Sequence, residues 1–173
     1  MKLYFAYGSN LHKAQMRSST PALPDRTGEY LNRCPDSHEI APYILEGYRL
    51  AFVGEASRRW GRGGVATIIK SPDDCVLGAI YSISHDDETT LDRLEGFNPL
   101  NPPTGRYVKV ASLFKYNDQP VMAYIASEQT SENKPNIKYL NTIRAGLIAW
   151  GYSVEILAEM DAYPAEEDGS VTP

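Results

Sequence analysis

Apolar positions along the chain follow a period of two through most of its length and a helical period in two places. Leu3, Phe5 and Tyr7 fall on one face of an extended segment, and Tyr4 and Ala6 fall on the other. A short run that is apolar on both faces predicts a central strand, ended by Gly8-Ser9-Asn10. A second strand is predicted from Tyr43 to Val53, where Tyr48, Leu50 and Phe52 alternate, with a turn at Glu46-Gly47. Val65–Lys70 and Cys75–Ile83 predict two more, joined by a turn at Ser71-Pro72-Asp73-Asp74. Tyr107–Tyr116 and Gln119–Ser127 read as a strand pair with Asn117-Asp118 as the hairpin turn.

The helical period begins after Ser84. Ser84 suits an N-cap, Asp87 three residues on suits the reciprocal bond of a capping box, and Gly96 suits the position just past the helix end. A longer helix follows Pro135, with Leu140, Ile143, Leu147 and Trp150 at helical spacing and Gly151 as its stop. Val154–Met160 predicts a short last helix. Residues 17–42 are rich in Pro, Ser, Asp and Arg and read mostly as loop, and Arg58–Gly64 reads as a glycine-rich connector with solvated arginines. Strands with one helix inserted between them and another at the end make an α+β pattern. One domain is expected over residues 1–163, followed by an acidic tail over 164–173.

Composition changes this picture little. The chain has 173 residues, enough for one core, and 12 of them are tyrosine. A formal charge of −5 argues against a generic nucleic-acid footprint, despite the short Arg58-Arg59-Trp60 cluster. Cys34 and Cys75 belong to no metal-spaced cluster and read as free thiols. The N-terminal apolar run is too short for a signal-peptide core, and no stretch approaches the ~20 apolar residues of a membrane helix. A cytoplasmic protein with no membrane or nucleic-acid partner is expected.

Two places carry candidate chemistry. Glu95 lies one helical turn after Leu91, so its carboxylate should border the core instead of facing away from it. It also sits at the helix C-terminus, where the dipole disfavours negative charge. Burial and dipole both raise a carboxyl pKa, which suits acid/base work near neutrality. A solvated Glu at a frayed helix end is the plainer alternative. The second place is Gly8-Ser9-Asn10, where a strand that stops short aims backbone N–H groups at one point and can bind an anion or a developing oxyanion. A simple tight turn is its alternative. Ser9 makes a poor nucleophile: no G-x-S-x-G elbow is present, and nothing places His12, His38 or His85 as its base. Tyr107, Tyr124 and Tyr139 taken singly read as core residues with a hydroxyl at the surface.

Taken in order, these segments resemble the gamma-glutamylcyclotransferase family and its AIG2-like relatives. The resemblance rests on Tyr4-Phe5-Ala6-Tyr7-Gly8-Ser9-Asn10-Leu11, on Glu46 to Phe52, and on Trp60 with Gly63 to Ile68. It continues through Leu91 to Gly96, Gly105-Arg106-Tyr107 and Tyr139 to Gly151. It implies a small mixed β-barrel flanked by helices, with Glu95 as the catalytic residue. It also implies that Tyr4, Tyr7, Gly8, Ser9, Asn10 and Leu11 line a pocket for a gamma-glutamyl group, with Tyr107, Tyr124 and Tyr139 near it. Arg33-Cys34-Pro35 is similar to a segment that usually follows the Gly-Ser-Asn turn more closely. Thr20–Tyr30 therefore resembles an insertion, expected to border the pocket mouth and shape substrate choice.

The implied reaction is closure of 5-oxoproline: the substrate's own α-amine attacks its γ-carbonyl and expels an amine. The nucleophile is tethered, so proximity is largely supplied by the substrate. No metal, nucleotide or other cofactor is required. A gamma-glutamylamine cyclotransferase and a pathway enzyme that removes a gamma-glutamyl protecting group fit the same residues. A non-catalytic AIG2-like binding module is the alternative of another class, although a pure binder has no use for Glu95. Asp92, on the same helix, is expected to tolerate substitution by Asn.

Overall fold

The computed structural model describes residues 1–16, 33–54, 62–101, 105–127, 131–161, 163 and 165. Trp60, the Thr20–Tyr30 insertion and nearly all of the acidic tail therefore lie outside the described residues. Five strands, β1 (Lys2–Ala6), β2 (His38–Val53), β3 (Val65–Ile83), β4 (Tyr107–Tyr116) and β5 (Gln119–Ala126), form one mixed sheet in the order β2-β3-β1-β5-β4. Among the described residues four α-helices accompany them: α1 (Lys13–Met16), α2 (His85–Glu95), α3 (Ile137–Ala149) and α4 (Val154–Asp161). The α+β class and its barrel-like sheet follow the expectation. Among the described residues no ladder joins β4 back to β2, so the sheet does not close.

β1 holds the centre because it is the strand with apolar residues on both faces. It pairs antiparallel with β3 and parallel with β5. Phe5 and Ala6 are fully buried and Tyr4 and Tyr7 nearly so. Fully burying a ring such as Phe5 contributes on the order of 1.5–3 kcal/mol.

Two sequence expectations are corrected by the β2–β3 ladder. β2 begins at His38, not Tyr43, and runs through Glu46-Gly47 without a turn. β3 is one strand from Val65 to Ile83, where two strands and a turn were expected. Glu46 pairs with Cys75 and Tyr48 with Lys70, so Gly47 alone faces Ser71–Asp74. The turn chemistry of Ser71-Pro72-Asp73-Asp74 is spent inside the hairpin as a bulge, and the ladder resumes beyond it. Both cysteines are free, Cys34 buried and Cys75 exposed.

The expected caps, the β4–β5 hairpin and the apolar face of α3 are present. Ser84 and Asp87 exchange both bonds of the capping box, and Gly96 closes α2 at φ 68°, a conformation that costs glycine little. Asn117 and Asp118 take φ 49° and 62° in the β4–β5 hairpin. Leu140, Ile143 and Leu147 bury one face of α3 against the sheet. A methyl group on Gly146 would come within 2.6 Å of Leu11 Cβ, so the helix approaches the turn after β1 as closely as backbone allows. Among the described residues no helix is long and apolar enough to cross a membrane.

Candidate functional site

The site is built where β1 ends. Ser9–Leu11 form one turn of 3-10 helix, with Leu11 N–H donating to Gly8 O at 3.0 Å. The first residues of such a turn leave N–H groups without partners inside the helix. Leu11 anchors the turn from below. Its side chain is fully buried, and its carbonyl accepts from Trp150 Nε1 at 3.1 Å. α2 brings Glu95 to the same point from the other side. Leu91 is fully buried in the core, and Glu95 follows one turn later on the same face.

Asn10 is the junction between them. Its Nδ2 donates to Tyr4 Oη at 2.9 Å and to Glu95 Oε1 at 3.1 Å. Its Oδ1 accepts from Gln15 Nε2 at 3.0 Å and from Arg33 Nη1. Every hydrogen-bonding position of the carboxamide is thus used. A reversed amide would set its oxygen against the Glu95 carboxylate and its two N–H groups against two donors. Gln15 also donates to Ser9 Oγ at 2.9 Å, which fixes that hydroxyl.

Tyrosines form the rest of the wall, each with its hydroxyl bonded. Tyr107 Oη donates to Ala66 O at 2.8 Å, and Ala66 N–H donates to Tyr139 Oη at 3.1 Å. Tyr7 Oη donates to Tyr124 O, and Tyr124 Oη donates to Asp92 Oδ1 at 2.7 Å. The cavity they leave measures about 30 Å³ and is open at one side. Of the sequence-derived candidates, Tyr4, Tyr7, Gly8, Ser9, Asn10, Glu95, Tyr107 and Tyr124 line it. Tyr139 stands behind this wall, its hydroxyl 3.0 Å from where a Gly8 Cβ would lie. Leu11 does not reach the cavity and acts as the turn's anchor. A larger groove of about 930 Å³, lined by residues such as Tyr48, Ile68, Val110 and Leu113, brings no carboxylate with it.

Electrostatics single out Glu95. Part of the residue reaches solvent, yet its carboxylate is enclosed by the surrounding rings. Burial pushes its pKa up, while Arg33, the Asn10 amide and Arg106 pull it back, and burial wins. Burial, reinforced by the nearby Glu95 charge, also raises Tyr4, Tyr7 and Tyr107, and takes Tyr139 to about 12. These phenols are neutral at physiological pH, which leaves Glu95 as the carboxylate among the described cavity-lining residues.

Sequence reasoning missed Gln15, and it noticed Arg33 only as part of a family-like segment. Asp92 accepts from Tyr124 Oη and from Lys109 Nζ at 2.8 Å, which ties it to the cavity wall. A polar residue forced to 5% exposure, as Gln15 is, leaves no periodic trace in the sequence.

Comparison with known proteins adds a second line. The family model described as gamma-glutamyl cyclotransferase, AIG2-like, matches residues 4–141. The chain belongs to this family. Two curated proteins named gamma-glutamylcyclotransferase align with it. The Bos taurus protein is 31% identical over 111 residues, 62% of this chain and 48% of its own length. The Mus musculus protein is 33% identical over 97 residues, 54% of this chain and 44% of its own length. The match thus spans about half the length of these relatives. A solved structure named gamma-glutamyl cyclotransferase superposes with a TM-score of 0.76 at 23% identity, covering 99% of this chain and 92% of its own. An uncharacterised Homo sapiens protein gives 0.72 at 24%, covering 95% and 89%. Both likenesses show a shared fold.

Proposed function

We propose that the chain is a gamma-glutamyl cyclotransferase that releases 5-oxoproline and a free amine or amino acid from a small gamma-glutamyl compound, with Glu95 as its acid and base. The observation that carries this reading is a carboxylate on the cavity wall, held by Asn10, with a pKa raised by burial. The family membership and the names of the aligned relatives agree with it.

The chemistry follows from the groups present. A substrate α-amine has a pKa near ~8 and arrives mostly as the ammonium. Glu95 takes one proton from it. The freed nitrogen attacks the γ-carbonyl carbon, and a tetrahedral intermediate forms with the charge on oxygen. The Ser9 N–H is taken by Tyr139 Oη, so the Gly8 and Asn10 N–H groups are the backbone donors offered to that oxyanion or to the substrate's own carboxylate. The C–N bond to the leaving group then breaks as Glu95 returns its proton to the departing nitrogen, and the extra proton left on the ring nitrogen passes back through the Glu95 carboxylate to the released amine. The cavity opens at one side, where the remainder of the substrate can extend.

The test is 5-oxoproline release from a panel of glutathione, gamma-glutamyl dipeptides and gamma-glutamylamines. Turnover of at least one class is expected, and its rank order names the leaving group. Binding without release across the whole panel would leave a binding module as the better reading.

A further inference from the structure

Arg33 is only 8% exposed although it carries a full charge. Its Nη1 donates to Asn10 Oδ1, and among the described residues its Nε is buried without a partner. None of the ion pairs among the described residues includes it. A buried guanidinium bonded to a neutral amide is a costly arrangement. Backbone contacts nevertheless pin it there. Cys34, the next residue, is fully buried, and its N–H donates to Met16 O at 3.0 Å.

Building on the role of Glu95 proposed above, we infer that Arg33 is a positioning residue for that carboxylate, acting through Asn10. With Gln15 it occupies both acceptor sites of Oδ1, so the amide nitrogen must face Glu95. It also sets a positive charge behind a carboxylate that has no direct counter-ion among the described residues.

The groups that face Glu95 leave Arg33 little competition. Tyr4 and Tyr7 approach from β1, Asn10 from the turn, Tyr107 and Arg106 from the start of β4, Tyr124 from β5 and Tyr139 from α3. Cys34 adds a thiol that burial keeps protonated, at about 12. Among these described groups only Arg33 and Arg106 are cations. Arg106 is exposed, and solvent screens it. Arg33 is therefore the main charge that holds Glu95 in the ionised form, the form able to take a proton. Without it, burial acts on Glu95 almost unopposed.

The experiment is a carbon-13 NMR titration of the Glu95 carboxyl, assigned by its loss in E95Q, in the parent, R33K and R33M proteins without substrate. Removing an opposite charge should raise the midpoint in R33M by about one pH unit or more, with R33K closer to the parent. The acid limb of kcat/KM should move with it. R33M then loses roughly tenfold at pH values below the parental midpoint and approaches the parent at high pH. A folded R33M with the parental midpoint, or a rate loss equal at all pH values, would overturn the inference. Should R33M fail to fold, R33Q carries the test, since it keeps a donor for Asn10 and removes the charge. Because the titration needs no turnover, it decides the coupling even if the parent releases no 5-oxoproline.

Discussion

Helix α2 carries two carboxylates of the same kind, two turns apart, and the fold treats them in opposite ways. Glu88 sits in the first turn, near the helix's positive end. It is ion-paired to Lys2 at 2.7 Å and to Lys109 at 3.1 Å. Burial works to raise its pKa, but bonds from the two lysines outweigh burial and hold it low. Glu95 sits in the last turn, bonded to a neutral amide, with its nearest cation one residue removed. There burial prevails and its pKa rises. Both side chains are largely enclosed, so enclosure alone does not make a proton acceptor. What decides is whether a cation touches the carboxylate or stands behind an amide.

The sharpest way to break this comparison is Glu95→Gln. Gln keeps the shape and the bond from Asn10 but cannot take a proton. 5-Oxoproline release should fall ~100- to 10,000-fold. Folding should survive. The folded pKa of Glu95 is raised, so its favourable contribution exists below the unfolded value near ~4.3 and is lost as pH rises through the folded value. At neutral pH the ionised group opposes folding, and removing it should hold or raise Tm. Near-parental turnover in E95Q would refute the assignment.

A second cut goes through the ion-paired end. Glu88→Gln leaves Lys109 short of one partner and should destabilise by about 1–3 kcal/mol at pH 7. The sign is opposite to that of Glu95. A lowered folded pKa gives stability above the unfolded value, lost as pH falls through the folded one. Urea melts of parent and E88Q should therefore converge as pH drops below ~4, with turnover at neutral pH little changed. If the difference persists undiminished in acid, the ion pairs are not its source.

Asp92→Asn probes the join between the two regions, because Asp92 bonds Lys109 on one side and the cavity-lining Tyr124 on the other. Loss of a charge-assisted bond to Tyr124 should cost about tenfold or less in kcat/KM, measured on the substrate that the parent turns over best. A loss as large as that of E95Q would mean that Asp92 shares the chemistry. The smallest effect is expected outside both regions. Arg49 and Glu132 form an exposed pair, and E132Q should change stability by at most about 1 kcal/mol, read from the same melts.

Local rules made some of this legible in advance. The capping box at Ser84, the left-handed Gly96 and the Asn117-Asp118 hairpin follow from backbone chemistry within four residues. The helical spacing Leu91–Glu95 put a carboxylate on a core-facing side, and the ordered motifs named the family. The rest depends on distance in sequence. The start of β2 is exposed on both faces at His38-Glu39-Ile40, so no alternation marks it as strand. Ser71–Asp74 reads as a turn because its residues prefer one, and only the partner strand reveals a bulge. Gln15 and Arg33 meet Asn10 across 5 and 23 residues, a juxtaposition that exists once the turn, α1 and the segment after it have packed.

The parallel pairing of Leu3 with Val121 and Tyr4 with Met122 has a further consequence during biosynthesis. β1 waits for one of its two neighbours until more than a hundred further residues have been translated, roughly 6–24 s at 5–20 residues per second. Until then its apolar edge must be shielded by something other than its final partner. The turn that follows it gains the Tyr124 wall no sooner than that strand docks. A nascent or prematurely terminated chain lacking β5 accordingly lacks the Tyr124 side of the cavity.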